Sequence, residues 1–170
     1  LSPDHPVREL TMEELSAGYY SSPIGILKLS YSARGVTSVS FTNTWYEHPR
    51  DDLFLQQCYE QLDAYFDGKL KKFDLNLDLM GTPYQLHVWE QLRQIEYGQT
   101  RSYQEIARQI GNPGSVRAVG HAAGRNPVSI IIPCHRVIGS DGRLTGYAGG
   151  LWRKKWLLEH ELHHKQLGFF

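Results

Sequence analysis

Apolar and polar positions change period several times along the chain, and each change marks a predicted element. Ile26 to Tyr31 and Val36 to Phe41 have the composition of strands, and Gly35 between them can supply the positive φ of a hairpin turn. Leu55, Tyr59, Leu62 and Phe66 then recur at i, i+4, i+7 and i+11, with Cys58 and Tyr65 widening the stripe. That is one face of a helix, capped by Asp51 or Asp52 and stopped by Gly68. Phe73, Leu75, Leu77 and Leu79 alternate with Asp74, Asn76 and Asp78, the period of a half-buried strand.

Beyond Met80-Gly81 the pattern becomes helical. Thr82 and Gln85 spell a capping box around Pro83, and Val88, Trp89, Leu92 and Ile95 supply a buried face that Tyr97-Gly98 ends. Ser102 and Glu105 spell a second capping box. The helix it opens is stopped by Gly111-Asn112-Pro113-Gly114, and Gly114 or Ser115 starts the next. Helix, four-residue turn, helix is the helix-turn-helix pattern.

The predicted class is therefore α+β, in three parts. Residues 1–18, polar and containing Pro3 and Pro6, read as a loose lead-in; residues 19–80 form a small α/β N-terminal domain; residues 81–170 form a helical C-terminal domain. No apolar run approaches the roughly 18 to 20 residues that cross a bilayer, so a soluble protein with no membrane partner is expected. Cys58 and Cys134 offer neither a disulfide framework nor CxxC metal spacing, and no secretory signal is visible. A reduced, cytoplasmic setting is expected, or a nuclear one in a eukaryote. Because the first residue is Leu1, the chain reads as processed or partial.

Charge adds a division that the net value of zero conceals. Residues 1–100 carry 8 Lys and Arg against 14 Asp and Glu, whereas residues 101–156 carry 9 against 2. A basic segment in a neutral protein suits a phosphate-binding face, because attraction is local and screened beyond about 8–10 Å. It equally suits docking of one half on the other. The helix after the turn is unusual too: Ala118, Gly120, Ala122, Ala123 and Gly124 leave it little bulk, with Arg117 its one long cation. Either a neighbouring helix or a nucleic-acid groove approaches its backbone.

The candidate chemistry centres on Pro133-Cys134-His135-Arg136 at the end of the apolar run Ile130-Ile131-Ile132. A thiol near cations gains thiolate, and one buried among aliphatic groups stays inert. Cys58, on the apolar stripe, reads as core packing.

Pro133-Cys134-His135-Arg136-Val137, with Asn126-Pro127 before it, Gly146-Tyr147-Ala148-Gly149-Gly150 after it and a helix-turn-helix upstream, resembles the O6-alkylguanine-DNA alkyltransferases. The resemblance is strongest from Thr82 to Glu161. It implies a ribonuclease-H-like N-terminal domain and a winged-helix-like C-terminal domain whose recognition helix enters the minor groove. It also implies a flipped guanine whose O6-alkyl group passes irreversibly to cysteine, without a cofactor. Cys134 would be the acceptor, His135 would act on it through a water, Glu161 would orient His135, and Lys154 would support the network. Tyr103 would donate to the flipped base, the backbone of Val137 would read its exocyclic amine, and Tyr147-Ala148 would close over the alkyl group. Asn126 would hold the hinge between recognition helix and cysteine loop. Arg117 would fill the vacated stack, with further DNA contacts from Gln104, Ser115, Ser140 and Arg136. The implied partner is double-stranded DNA carrying O6-alkylguanine, or O4-alkylthymine, bound by a monomer.

Two features complicate the match. Ala148 stands where some members have Ser, so only the backbone role survives there. His160-Glu161-Leu162-His163-His164 also satisfies H-E-x-x-H, a zinc-hydrolase signature. It lacks a downstream third ligand, and no metal is expected. The competing functions are a non-catalytic lesion binder of the alkyltransferase-like type, which carries Trp at the acceptor position, and a thiol hydrolase that turns over repeatedly.

Overall fold

The computed structural model describes residues 17–47 and 51–168. Three antiparallel strands, β1 (Ala17–Ser22), β2 (Gly25–Ser32) and β3 (Gly35–Thr42), pair in chain order. The hairpin around Gly35 forms as its spacing predicts, with φ +146° at that glycine. β1 differs from expectation: the polar pattern places Ala17 and Gly18 in the lead-in, yet both are buried in a strand. The remainder of that lead-in lies outside the described residues.

Helix α1 (Leu53–Phe66) packs on this sheet. Asp52 caps it by accepting from the Leu55 N–H, and Gly68 ends it at φ +74°. Gly18 lets the two elements approach: a Cβ there would lie 2.2 Å from the Tyr59 hydroxyl and 2.7 Å from Leu55. Leu27, Leu29, Val36 and Val39 from the sheet and Leu55, Cys58, Leu62 and Tyr65 from the helix belong to one core that continues into the C-terminal half. Cys58 is fully buried there, as its stripe implies.

The segment Phe73 to Leu79 alternates in burial as far as Leu77, after which Asp78 is as covered as its neighbours, and it is no strand. It makes only a single bridge, Leu77 to Val36, with Val36 N–H donating to Asn76 O and Asp78 N–H donating to Val36 O. Upstream, the Gln61 side chain takes both backbone groups of Asp74, at 2.8 Å each, so the ladder cannot extend. A second bridge joins Val39 to Val128. The outer edge of β3 thus holds the approach to the cysteine loop, through Val39 N–H to Pro127 O and Ser129 N–H to Val39 O.

In the C-terminal half both capping boxes are present, Thr82 with Gln85 on α2 (Pro83–Arg93) and Ser102 with Glu105 on α3 (Tyr103–Gln109). A two-residue strand β4 (Arg101–Ser102) pairs in parallel with β5 (Val137–Ile138). Gly111 turns the chain at φ +79°, and α4 (Val116–Gly124) follows, completing the helix-turn-helix. Ser115 stands at the start of α4, but its hydroxyl donates back to Asn112 O and caps nothing in the helix. The Trp89 indole donates to Ala122 O at 2.8 Å, fixing α4 on α2. The last helix, α5 (Leu151–Leu167), crosses behind the cysteine loop.

Candidate active site

The loop after α4 is compressed before it reaches the thiol. Asn126 is buried; its amide donates to Ile132 O and its oxygen accepts from Val128 N–H, at 2.8 and 2.9 Å. Ile130, β-branched and buried, sits at φ +72°, a conformation that costs about 1–3 kcal/mol and persists only where surroundings impose it. Cys134 then opens a single 3₁₀ turn, Cys134–Arg136.

That turn sends three consecutive side chains two ways. Cys134 is half-buried and lines a cavity of about 260 Å³, together with Tyr103, Gly120, Gly124, Tyr147 and Ala148. His135 and Arg136 point away from it, into the interior, and meet Glu161 of α5. The carboxylate accepts from His135 Nε2 at 2.7 Å, from Arg136 Nε and Nη2 at 2.9 Å each, from the Tyr65 hydroxyl at 2.8 Å and from Gly98 N–H at 3.3 Å. Arg136 Nη1 donates to Ile95 O at 2.5 Å.

Electrostatics follow from this burial. Desolvation alone would raise the Glu161 carboxyl, but His135 and Arg136 outweigh it and hold the group well below the usual carboxylate range. Desolvation lowers the His135 imidazole against the opposing pull of Glu161, so the ring is neutral near pH 7. With Nε2–H donated to the carboxylate, Nδ1 carries the lone pair, and that buried nitrogen has no hydrogen-bond partner. Burial pushes the Cys134 thiol up, opposed by an Asn126 hydrogen bond and by the charge of Lys154. The thiol is therefore protonated at rest and needs a base when it reacts.

Lys154 is fully buried, and its ammonium donates to Thr145 O at 2.9 Å, Gly146 O at 3.3 Å and the Tyr103 hydroxyl at 3.4 Å. Desolvation brings its pKa down to about 8. The Tyr103 hydroxyl donates to Thr145 O at 3.2 Å, and burial keeps the phenol protonated.

Residues 83–163 match the family described as 6-O-methylguanine DNA methyltransferase, DNA binding domain, and residues 15–79 match its ribonuclease-like domain. The chain belongs to the 6-O-methylguanine DNA methyltransferase family. A methylated-DNA–protein-cysteine methyltransferase of Mycolicibacterium paratuberculosis is 49% identical over 84% of this chain and 90% of its own length. One from Methanosarcina acetivorans is 46% identical over 84% of this chain and 95% of its own. The solved O6-methylguanine methyltransferase of Mycobacterium tuberculosis superposes with a TM-score of 0.79 at 48% identity, covering 87% of this chain and 93% of that one. The same protein has been solved in complex with DNA, with the same TM-score and identity.

Within this methyltransferase fold the predicted site residues separate into groups. Cys134, Tyr103, Asn126, Tyr147 and Ala148 share the cavity, while His135, Glu161 and Lys154 lie behind its wall. Val137 is fully buried on β5. Arg117, Gln104 and Ser140 are exposed, and Ser115 is half-buried.

Arg136 is the correction. It was expected to touch DNA, but its side chain is 8% exposed and its donors are committed to Glu161 and Ile95 O, so the guanidinium is structural. The H-E-x-x-H side chains are engaged elsewhere: His160 donates to Tyr65 O at 2.9 Å and His164 to His160 O at 2.8 Å, while Glu161 is taken by Arg136, His135 and the Tyr65 hydroxyl. Among the described residues, no group of three potential ligands could hold a metal ion.

Tyr65 was missed as a site residue. Its only sequence signal is a hydroxyl on the apolar stripe, which it shares with Tyr59, and a buried phenol seeks a partner. The small residues of α4 divide between packing and open space. Ala122 and Ala123 are buried against neighbours, whereas a Cβ on Gly124 would meet nothing within 4 Å and one on Gly120 only the Tyr103 ring at 3.8 Å. Those two glycines leave the cavity mouth open.

Proposed function

We propose that the protein repairs DNA directly, by moving the alkyl group of an O6-alkylguanine, or an O4-alkylthymine, to Cys134 in one irreversible step. The observation that carries this is the Cys134 thiol on a cavity wall, followed directly by an imidazole that Glu161 orients and whose Nδ1 is left without a hydrogen-bond partner. Duplex DNA is approached through the minor groove by α4, whose glycine face leaves room for backbone contact and whose Arg117 is exposed to occupy the vacated stack. Gln104, Ser115 and Ser140 add contacts to the strand. The minor groove says little about sequence, which suits a protein that must find one lesion in any context.

In the reaction His135 Nδ1 takes the Cys134 proton through a bridging water as sulfur attacks the alkyl carbon. The carbon–O6 bond breaks and its electron pair stays on the base, which takes the Tyr103 hydroxyl proton as that O–H turns from Thr145 O; the thiol proton held on His135 makes up the balance through solvent, and Lys154 holds the phenol in place. The Tyr147-Ala148 backbone covers the alkyl group, and Val137 reads the exocyclic amine. Positioning in such a closed pocket contributes about 7–11 kcal/mol in favourable cases, far beyond the roughly 1.5 kcal/mol of a lowered thiol pKa. The thioether formed is a poor leaving group, so each monomer acts once.

An intact-mass measurement after incubation with a methylated duplex tests this. One methyl group on Cys134, with no further cycles, is expected. Cys134→Ser should transfer nothing and still bind DNA. Repeated turnover, or transfer by the Ser variant, refutes the assignment.

A further inference from the structure

The covering segment Thr145–Gly150 is held at its two ends by consecutive residues of α5. Lys154 binds the carbonyls of Thr145 and Gly146 at the near end. Arg153 binds the far end, donating from Nη1 to Gly149 O at 2.8 Å. Its Nε donates to Ile24 O at 2.6 Å, in the turn between β1 and β2, so this one guanidinium ties the segment to the N-terminal sheet.

Aromatic packing closes the same connection. The Arg153 guanidinium lies 4.3 Å from the Phe41 ring centroid and 4.5 Å from that of Trp152. Phe41, on β3, meets Tyr147 edge-on at 6.4 Å. The backbone is shaped to admit the cation: Gly25 has φ +121°, and a Cβ there would lie 2.7 Å from Arg153 Nη2. Gly149 is pressed against Phe41, where a Cβ would lie at 2.7 Å. Gly146, Tyr147 and Ala148, between the two anchors, line the cavity that holds Cys134.

We propose that Arg153, seated on Phe41 and the Ile24 carbonyl, is a positioning residue that sets the height of Tyr147-Ala148 above Cys134 and so limits the size of alkyl group accepted. This rests on the reading that the cavity receives the alkyl group. The N-terminal domain then takes part in substrate selection without touching DNA or the lesion. The physical reason is a lever: Tyr147 and Ala148 span two anchored glycines, Gly146 and Gly149, and loss of the far anchor frees them to rise. A small methyl group loses the wall that aligns it, while a larger group gains room.

The test compares second-order rates of transfer from O6-methylguanine and O6-benzylguanine in the same duplex. Arg153→Met keeps an apolar stem on Phe41 and removes both hydrogen bonds; Arg153→Lys keeps the charge and one donor group. The benzyl-to-methyl rate ratio should rise about fivefold or more in the Met variant and less in the Lys variant. Phe41→Leu, which leaves Arg153 intact, should move the ratio in the same direction and keeps the test available if the Met variant folds poorly. A purely structural role would slow both substrates equally. An unchanged ratio in the Lys and Leu variants, with the unaltered protein active, overturns the proposal alone. No transfer by the unaltered protein overturns the reading beneath it.

Discussion

Glu161→Gln removes one charge and almost no volume, which makes it a sensitive probe of the buried network. Glu161 accepts from Tyr65, His135, Gly98 and twice from Arg136, and is fully buried. A glutamine keeps one acceptor and turns the other position into a donor. Placing its oxygen toward Tyr65 and His135 aims its amide at Arg136 Nε and Gly98 N–H; the reverse placement is worse. Either way the guanidinium is left without a counter-charge. Breaking one side of a buried pair costs about 3–5 kcal/mol, a large part of a typical 5–15 kcal/mol stability. For a chain of this size that corresponds to roughly 6–20 °C in melting temperature. Urea unfolding monitored by circular dichroism reads the loss. The double variant Glu161→Gln, Arg136→Met should recover most of it, because removing both partners spares the unpaired charge. A single-variant loss below about 1 kcal/mol, or a double variant as unstable as the two losses added, would refute this account of the network.

Acid should weaken the fold in two stages. The folded His135 and His160 are lowered below their ordinary 6.5, so the unfolded chain takes up protons that the folded one refuses, and stability falls as pH drops below about 6.5. Glu161, depressed from its ordinary 4.5, contributes stability that is lost on further acidification, as pH falls below 4.5 toward its folded value. A urea midpoint that stays constant from pH 8 to pH 5 would contradict the first stage. Gly120→Ala should raise stability by about 1 kcal/mol through helix propensity while slowing transfer, because its methyl group enters the cavity mouth beside Tyr103. Melting curves and single-turnover rates that move together would argue against that placement. Arg117→Ala should slow repair of duplex DNA more than reaction with free benzylguanine, and equal losses would remove its role in extrusion.

The sequence disclosed local devices far better than distant ones. Asp52, Thr82 with Gln85, and Ser102 with Glu105 act within one turn of themselves, so their caps formed where the spacing places them. β1 escaped notice because Ala17 and Gly18 are weak strand formers, and what fits Gly18 to its place is the close approach of Leu55 and Tyr59 from α1, far along the chain. The alternation from Phe73 reports burial correctly as far as Leu77, but the Gln61 side chain claims the backbone that a ladder would need. At the site, the Cys134 motif and its hinge Asn126 are contiguous in sequence and were legible. Arg136 was misjudged because a cation beside a nucleophile looks available until Glu161, 25 residues away, is brought to it. Tyr65 is 96 residues from Glu161, and no local pattern links them.

That last distance bears on how this chain can be altered or exchanged with relatives. A cut after Met80 looks natural in the sequence, but Tyr65, Ile24 and Phe41 all lie before it and complete groups that lie after it. Transplanting residues 81–170 onto an unrelated N-terminal partner would strand Glu161 without its phenol and Arg153 without its carbonyl and ring. A working chimera must carry those three positions along. Substitutions in the N-terminal half are therefore constrained by chemistry performed in the other, and the two halves should change together.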